Sequence, residues 1–309
     1  MLHNFVVTDP RSITTFPLTE GPDGRIYGLT NAGGDNHKGV VYAMNADGSG
    51  FTILFSCSAS GSITETKPAF GPDGKLYTII SGMLCSMNLD GSAFSSIVAI
   101  PYSYNLQLDG NGWVYAIGTS GTQNFIYKVK TDGTGYNVLH TLLPATEGNG
   151  YTKGLTLTPT GRLFGVNNSG GPNIDGTLFS IRTDGTGFTI HKAFGDLPAE
   201  GANPDGLLLH KNGKIWGVTN FGGTSFNGVI FSFDTVSLSY TVIYNSAKVL
   251  VSGLTAGADG KLYSVTASNP AYVYRIDPDG QNYEQIYSTL PAGGGRPSNN
   301  DELVYHTRF

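Results

Sequence analysis

Residues 21–56 read GPDGRIYGLTNAGGDNHKGVVYAMNADGSGFTILFS, and this stretch carries most of one repeating unit. It contains three strand-length pieces in which apolar and polar residues alternate with period two, as in β-strands and unlike helices. An apolar run before the Pro-Asp-Gly turn supplies a fourth strand, and an Asp-Gly turn separates the last two. Asp-Gly supplies the positive φ that short hairpin turns require, so the unit is predicted to be a set of antiparallel strands.

The same unit recurs along the chain, and an aromatic residue at the centre of the second strand marks six copies. These aromatics are Tyr27, Tyr77, Tyr115, Phe164, Trp216 and Tyr263. The smallest separation is 38 residues (77 to 115) and the largest is 52 (164 to 216). Repeats of this length with four strands each are typical of propeller blades.

Four antiparallel strands per copy, repeated without helices, predict an all-β protein. We expect a single β-propeller domain over residues 1–309 with six blades, and a propeller of seven blades is the alternative. Packing the sheets face to face around an axis buries their apolar faces and protects their edges. The blades are expected at about residues 14–57, 64–100, 102–143, 152–194, 204–245 and 252–290. The terminal segments 1–8 and 296–309 resemble parts of a blade and are expected to help close the ring.

The composition excludes several classes of protein. Of the 309 residues 44 are glycine, and only 13% are charged, against about 25% in an average soluble protein. The chain therefore lacks the bias of a helical protein, and its evenly spread aromatic residues argue against disorder. The net charge of −5 gives no basic surface for nucleic acid. No apolar run approaches the ~20 residues of a membrane helix, so no transmembrane segment is expected.

The N-terminal residues, the composition and the cysteines bear on localisation and redox state. The N-terminal residues show no signal peptide, and we expect a leader to have been removed or to be absent from this sequence. The lysine-poor, polar composition favours an extracellular or cell-surface protein. Two cysteines, Cys57 and Cys85, are too few for a disulfide-rich scaffold. They are interpreted as small buried thiols, and a bond between them remains open.

Residues 199–234 read AEGANPDGLLLHKNGKIWGVTNFGGTSFNGVIFSFD. This unit resembles the tandem repeat called GloVer, found in choice-of-anchor tandem-repeat GloVer-containing proteins. Copies one, four and five keep the Gly-Gly pair of that repeat, whereas copies two, three and six depart from it. The resemblance implies a propeller in an exported or cell-surface bacterial protein, and it implies no catalytic residues. A weaker similarity, through the G-P-D-G turn, is to propellers like virginiamycin B lyase, which use a metal and a histidine for elimination.

The connections after the second and fourth strands are expected to be long and to share one face of the propeller, where we place a ligand site. Asn, Asp, Glu and Tyr in these loops suit sugar hydroxyls or a hard cation such as calcium, although Asn and Asp are also ordinary turn residues. We predict a glycan or a surface protein as the partner. The candidate ligand-binding residues are Asn31, Asp35, Lys38, Glu65, Lys67, Glu147, Lys153, Asn168, Asp175, Glu200, Asn220, Phe221 and Arg296.

An enzyme is the alternative hypothesis: a lyase or hydrolase of polysaccharide or cyclic peptide with a site on the same face. The candidate bases are His37, Tyr102, Tyr104 and Tyr151. The other five histidines occupy matching positions in different copies, which favours packing, whereas His37 falls outside that pattern. No HExxH, paired CxxC or G-x-S-x-G motif is present. A structural repeat array in an adhesin is a third hypothesis.

Overall fold

The computed structural model describes residues 18–58, 60–63, 66–103, 105–150, 155–196, 198–248, 250, 253–266 and 272–288. In these ranges the regular structure is 25 β-strands and one short 3-10 helix, Pro198–Glu200. The strands form six antiparallel sheets, each built from four consecutive strands in chain order, with one additional strand in the third. The predicted fold, an all-β propeller of six four-stranded blades, is confirmed.

The first three blades contain strands β1 to β13. Their bounds are β1 Thr19–Glu20, β2 Ile26–Leu29, β3 Val40–Met44 and β4 Thr52–Ser56 in blade 1; β5 Ala69–Phe70, β6 Leu76–Ile80, β7 Met83–Met87 and β8 Ser95–Ala99 in blade 2; and β9 Tyr102–Ser103, β10 Gln107–Leu108, β11 Trp113–Ser120, β12 Gln123–Lys130 and β13 Asn137–Thr141 in blade 3. Strand β9 is the additional one and pairs with β11.

The last three blades contain strands β14 to β25. Their bounds are β14 Leu155–Leu157, β15 Arg162–Asn167, β16 Thr177–Arg182 and β17 Thr189–Ala193 in blade 4; β18 Ala202–Leu209, β19 Lys214–Phe221, β20 Val229–Asp234 and β21 Tyr240–Asn245 in blade 5; and β22 Thr255–Ala256, β23 Leu262–Val265, β24 Tyr272–Ile276 and β25 Glu284–Ser288 in blade 6.

The described residues fall into two compact units. The first unit contains the described residues of 18–120 and 126–138, and the second those of 121–125 and 139–288. Blades 1 and 2 belong to the first unit, and blades 4, 5 and 6 to the second. None of the described helical structure is long and apolar enough to cross a membrane.

The turn between the first and second strands is closed by a tyrosine–aspartate hydrogen bond in blades 1, 2, 3 and 6. In blade 3 the Tyr115 hydroxyl donates to Asp109 Oδ2, six residues earlier, at 3.2 Å. In blades 1, 2 and 6 the tyrosine hydroxyl donates to the carboxylate four residues earlier in Tyr27–Asp23 (2.8 Å), Tyr77–Asp73 (2.9 Å) and Tyr263–Asp259 (2.8 Å). The G-P-D-G and G-A-D-G sequences thus fix both the turn and the aromatic that follows it. Blades 4 and 5 carry Phe164 and Trp216 at the aromatic position, so this tyrosine–carboxylate bond is not made there.

The same aromatics build the core between neighbouring blades. Tyr27 is fully buried in one cluster with Leu76 of blade 2. Trp216 lies in a second cluster with Leu262 and Ile276 of blade 6. In blades 1 and 5 the aromatic position is therefore part of the core between neighbouring blades. Burial of such large rings supplies much of the apolar area that stabilises adjacent sheets.

A glycine follows the aromatic in blades 1, 4 and 5 because a second ring covers it. Gly217 pairs with Phe231 across the two strands, and a Cβ at Gly217 would lie 2.4 Å from that ring. Gly28 stands in the same relation to Tyr42, also at 2.4 Å. Any larger residue would have to displace a fully buried ring, so the sequence pattern aromatic-Gly records a packing requirement.

Both cysteines are free and buried. They lie in the core cluster of blades 1 and 2, and burial raises the pKa of each thiol above its ordinary value. This agrees with their interpretation as packed thiols.

The expectation that every connection after a second strand is long is wrong. In blades 2 and 3 the second and third strands are joined by two residues only, Ser81–Gly82 and Gly121–Thr122. The long form occurs in blades 1, 4 and 5, the copies that keep the Gly-Gly pair.

Candidate functional site

The long connections of blades 1, 4 and 5 share one backbone conformation, and we call them the Gly-Gly loops: residues 30–39, 167–176 and 219–228. In each loop the fourth residue after the first glycine donates its N–H to the carbonyl of the second glycine. The three bonds are His37 to Gly34, Ile174 to Gly171 and Phe226 to Gly223, each 3.2 Å long. Both glycines of every pair have positive φ, which lets the chain turn back towards the third strand.

The start of the loop is fixed by a buried threonine in blades 1 and 5. Thr219 Oγ1 accepts a hydrogen bond from Val229 N (3.0 Å) and donates to Phe221 O (2.9 Å). Thr30 makes the equivalent pair of bonds in blade 1. In blade 4 the residue is Asn167, whose Nδ2 donates to Glu147 O at 2.8 Å. Its buried Oδ1 has no hydrogen-bond partner within the described part of the chain.

The residue near the tip of each loop has a left-handed backbone and an exposed side chain. We call this place the display position. Its φ is 57° at His37, 63° at Ile174 and 57° at Phe226. The side chains of Ile174 and Phe226 are 76% and 71% exposed, and His37 is also exposed. His37 therefore occupies a repeat position, in contrast to the expectation that it falls outside the repeat.

The candidate bases are not assembled into a recognisable catalytic group in the described ranges. The imidazole of His37 has no hydrogen-bond partner there, and Tyr102, on β9, is exposed. Tyr104 and Tyr151 lie outside the described residues. Among the described residues no group of three or more His, Cys, Asp or Glu side chains could hold a metal ion. The assignment of these residues as bases stays a prediction.

The ligand-binding candidates of blades 1 and 2 differ in exposure. Asn31, Asp35 and Lys38 belong to the first Gly-Gly loop and are exposed. Lys67 is half-buried, and its backbone N–H donates to Asn105 Oδ1 at 3.1 Å. Glu65 lies outside the described residues. The first loop therefore offers a mixed-charge set of accessible side chains.

Two candidate carboxylates of the second unit are engaged within the protein. Glu147 lies 2.8 Å from His140 Nε2 and accepts a hydrogen bond from Leu143 N (2.9 Å). Glu200 forms an ion pair with Lys192. These contacts tie loops to neighbouring strands, so binding of a ligand by either carboxylate would compete with them.

Four further candidates of the second unit lie in or next to the Gly-Gly loops: Asn168, Asp175, Asn220 and Phe221. The carbonyl of Asn168 accepts a hydrogen bond from Asn203 Nδ2 (2.7 Å), and Asp175 is half-buried. Asn220 has a covered Oδ1 without a partner in the described ranges, whereas the ring of Phe221 is 56% exposed. Lys153 and Arg296 lie outside the described residues. All these assignments stay predictions.

The family is shown by residues 100–305, which match the Gloeobacter/Verrucomicrobia repeat. The chain belongs to this family. The match covers more than half of the chain and confirms the resemblance drawn from the Gly-Gly copies. A search of curated proteins gave no match to this Gloeobacter/Verrucomicrobia repeat protein.

Solved structures similar to this repeat protein share its fold at low sequence identity. An oligogalacturonate lyase in complex with manganese is 14% identical with a TM-score of 0.66, over 89% of this chain and 78% of the lyase. An oligogalacturonate lyase from Vibrio parahaemolyticus is 12% identical, with a TM-score of 0.64 over 93% and 80%. TolB from Acinetobacter baumannii is 13% identical, with a TM-score of 0.57 over 86% and 63%. At these identities the similarity concerns the fold alone.

A serine–histidine pair in blade 4 of the repeat protein is part of the core. Ser180 Oγ lies 2.7 Å from His191 Nε2 and accepts a hydrogen bond from Arg162. Ser180 is fully buried, and the histidine ring packs against Phe164 and Phe233. Burial lowers the pKa of His191 below its ordinary value. The buried serine and the ring contacts of His191 agree with the packing role expected for this histidine.

The sequence reasoning missed Ile174 and Phe226. Both are apolar residues in glycine-rich loops, where an apolar residue type by itself does not indicate a binding site. The signal was present in the spacing: each stands four residues after the first glycine of the pair and two before the closing glycine.

Proposed function

We propose that the protein is a non-catalytic binding module that recognises glycan through its Gly-Gly loops. The observation that carries the proposal is the display position: three loops with the same hydrogen-bonded backbone expose three different side chains. A backbone that is already ordered loses little conformational entropy when a ligand binds. Variable side chains on such a frame are typical of recognition loops.

The chemistry of the exposed groups favours carbohydrate. Phe221 and Phe226 offer accessible aromatic rings, and the C–H faces of sugars pack against the negatively polarised faces of such rings. The residues between them include Thr224 and Ser225, whose hydroxyl groups can donate hydrogen bonds to sugar hydroxyls and accept hydrogen bonds from them. An extracellular or cell-surface location, implied by the resemblance to exported proteins, is part of the proposal.

Binding to an array of bacterial, fungal and plant polysaccharides tests this function. We expect the wild-type protein to bind at least one glycan, and a triple variant with His37, Ile174 and Phe226 changed to glycine to lose most of the signal. Binding to no glycan on the array, or equal binding by the wild-type protein and the triple variant, would contradict the proposal. A protein captured in a pull-down with no glycan on the array would indicate a protein partner instead.

A lyase is the second candidate because two of the similar structures are oligogalacturonate lyases by name. In this case His37 would act as the base that removes a proton next to a uronate carboxylate. Incubation with polygalacturonate and other uronate polymers should then produce unsaturated chain ends, which are measured by their absorbance of ultraviolet light. Production of those ends by wild type, and its loss in His37→Ala, would replace the binding proposal with the enzymatic one.

A further inference from the structure

We infer that Phe226 is the specificity-determining residue of the blade 5 loop and stacks on a neutral, β-linked gluco-configured sugar ring. This inference rests on the proposed glycan binding and adds the residue and the class of sugar.

The backbone conformation of Phe226 is unfavourable for its side chain. A φ of 57° lies in the left-handed region, which is a genuine outlier for a bulky residue and costs conformational free energy that glycine does not incur. Ile174, a β-branched residue, has the same conformation in the equivalent loop of blade 4. The loop geometry alone would therefore favour glycine at both places.

The fold gains little packing from the Phe226 ring in return. The ring is 71% exposed, whereas Phe231 on the following strand is fully buried. No aromatic ring of the described residues is in contact with Phe226. A strained residue whose side chain points mostly into solvent does not repay its strain through burial. A ligand that covers the ring would repay it.

The stem that holds Phe226 is anchored on both sides. Thr224 N donates to Asn245 Oδ1 at 2.8 Å, and Asn227 Nδ2 donates to Ala247 O at 3.1 Å. With the bond from Phe226 N to Gly223 O, these contacts order the residues on either side of the ring. The backbone that carries the ring is thus ordered before binding, and little backbone entropy is lost when a ligand binds.

The surroundings of the ring select an uncharged ligand. Between the glycines of the blade 5 loop the other residues are Thr224, Ser225 and Asn227. A phenyl ring cannot donate or accept a conventional hydrogen bond, so it prefers a flat face of C–H groups. β-Linked gluco-configured rings offer such faces because both their hydroxyl groups and their glycosidic bonds are equatorial. A galacturonate ring, with an axial hydroxyl and a charge, fits this surface less well.

The test uses Phe226→Gly with Leu238→Gly as its matched control. Leu238 also has a left-handed backbone (φ 58°) and is 55% exposed, but it lies in the β20–β21 turn, at the opposite end of β20. Removal of strain should keep or raise the thermal midpoint of both variants. Titration calorimetry with cellohexaose and laminarihexaose should show at least a tenfold loss of affinity in Phe226→Gly only. Phe226→Trp should retain binding.

The outcomes separate this inference from the proposed function. Wild-type affinity in Phe226→Gly, or a lowered thermal midpoint in that variant, would overturn the role of Phe226. Binding of other glycans on the array, with no affinity for either hexaose, would overturn the sugar class and leave the proposed function standing. An array without any bound glycan would overturn both.

Discussion

Blades 1 and 5 use the same backbone for their Gly-Gly loops and fill it with different side chains. The display position holds His37 in blade 1, in a loop that also carries the charged residues Asp35 and Lys38, and Phe226 in blade 5, in a loop without charged residues. At the other end of the blades the turns also differ, since blade 1 has the Asp23–Tyr27 bond and blade 5 has Asn212 and Trp216. The two blades teach that glycines and a buried threonine specify the loop, while its exposed tip is left to vary.

The largest effect on the free energy of unfolding is expected from replacing the glycine that follows the aromatic residue in both blade 1 and blade 5. Gly217→Val would place its side chain within 2.4 Å of the Phe231 ring, and overpacking of this kind costs about 1–3 kcal/mol or more. Gly28→Val should have a similar effect through Tyr42. Urea denaturation measures both, and Gly110→Ala, whose Cβ would meet nothing within 4 Å, is the control. A small effect in only one blade would show that the two scaffolds are not equivalent.

A medium effect is expected from the loop threonines. Thr219→Val removes the acceptor of the buried Val229 N–H, and an unsatisfied buried donor costs about 1–3 kcal/mol. Thr30→Val should cost a comparable amount. Thr219→Ser keeps the hydroxyl group and should be close to wild type in the same denaturation experiment. If valine and serine gave equal stability, the hydroxyl would not be what holds the loop.

The smallest effect is expected from pH, and it should distinguish the turn of blade 1 from that of blade 5. Burial alone would raise the pKa of Asp23, but hydrogen bonds from Arg25 and Tyr27 outweigh it and hold the pKa below its ordinary value of 3.8. A carboxylate with a lowered pKa stabilises the fold above its unfolded-state pKa, and this contribution is lost as pH falls through the folded-state value.

The corresponding experiment follows the urea midpoint from pH 7 down to pH 3. Wild type should lose stability with acid below about pH 4, near the unfolded-state pKa of an aspartate. Asp23→Asn should be less stable at neutral pH and should show a shallower acid dependence. Equal slopes for both proteins would assign the acid sensitivity to other carboxylates. The substitution Asn212→Gln in blade 5, which carries no titrating group, should leave the slope unchanged.

The blade pattern could be predicted from sequence because its determinants are local. The hairpin turn of Asp277 to Gly280 follows from its Asp-Gly sequence, and Gly280 N donates to Asp277 O at 2.9 Å. The packing of the aromatic series follows in a similar way, because alternation along a strand fixes which side chains face a neighbouring sheet.

The candidate site was harder to predict because its features depend on backbone angles and tertiary contacts. A positive φ at Phe226 is not visible in the residue type, which usually avoids it. Likewise Glu147 reads as a free loop carboxylate, and only the fold brings it to His140. The two-residue connection Ser81–Gly82 was missed because a departure from the Gly-Gly motif does not say what replaces it.

The loop backbone and the exposed side chain at the display position depend on different residues, and this has an evolutionary consequence. The side chains of Ile174 and Phe226 are mostly exposed, so a substitution at either position should have little effect on the stability of its blade. If the Gly-Gly loops bind glycan as proposed, selection can alter the ligand preference of one blade without re-optimising its neighbours. A chain of repeated blades built in this way could then diversify its ligands one loop at a time.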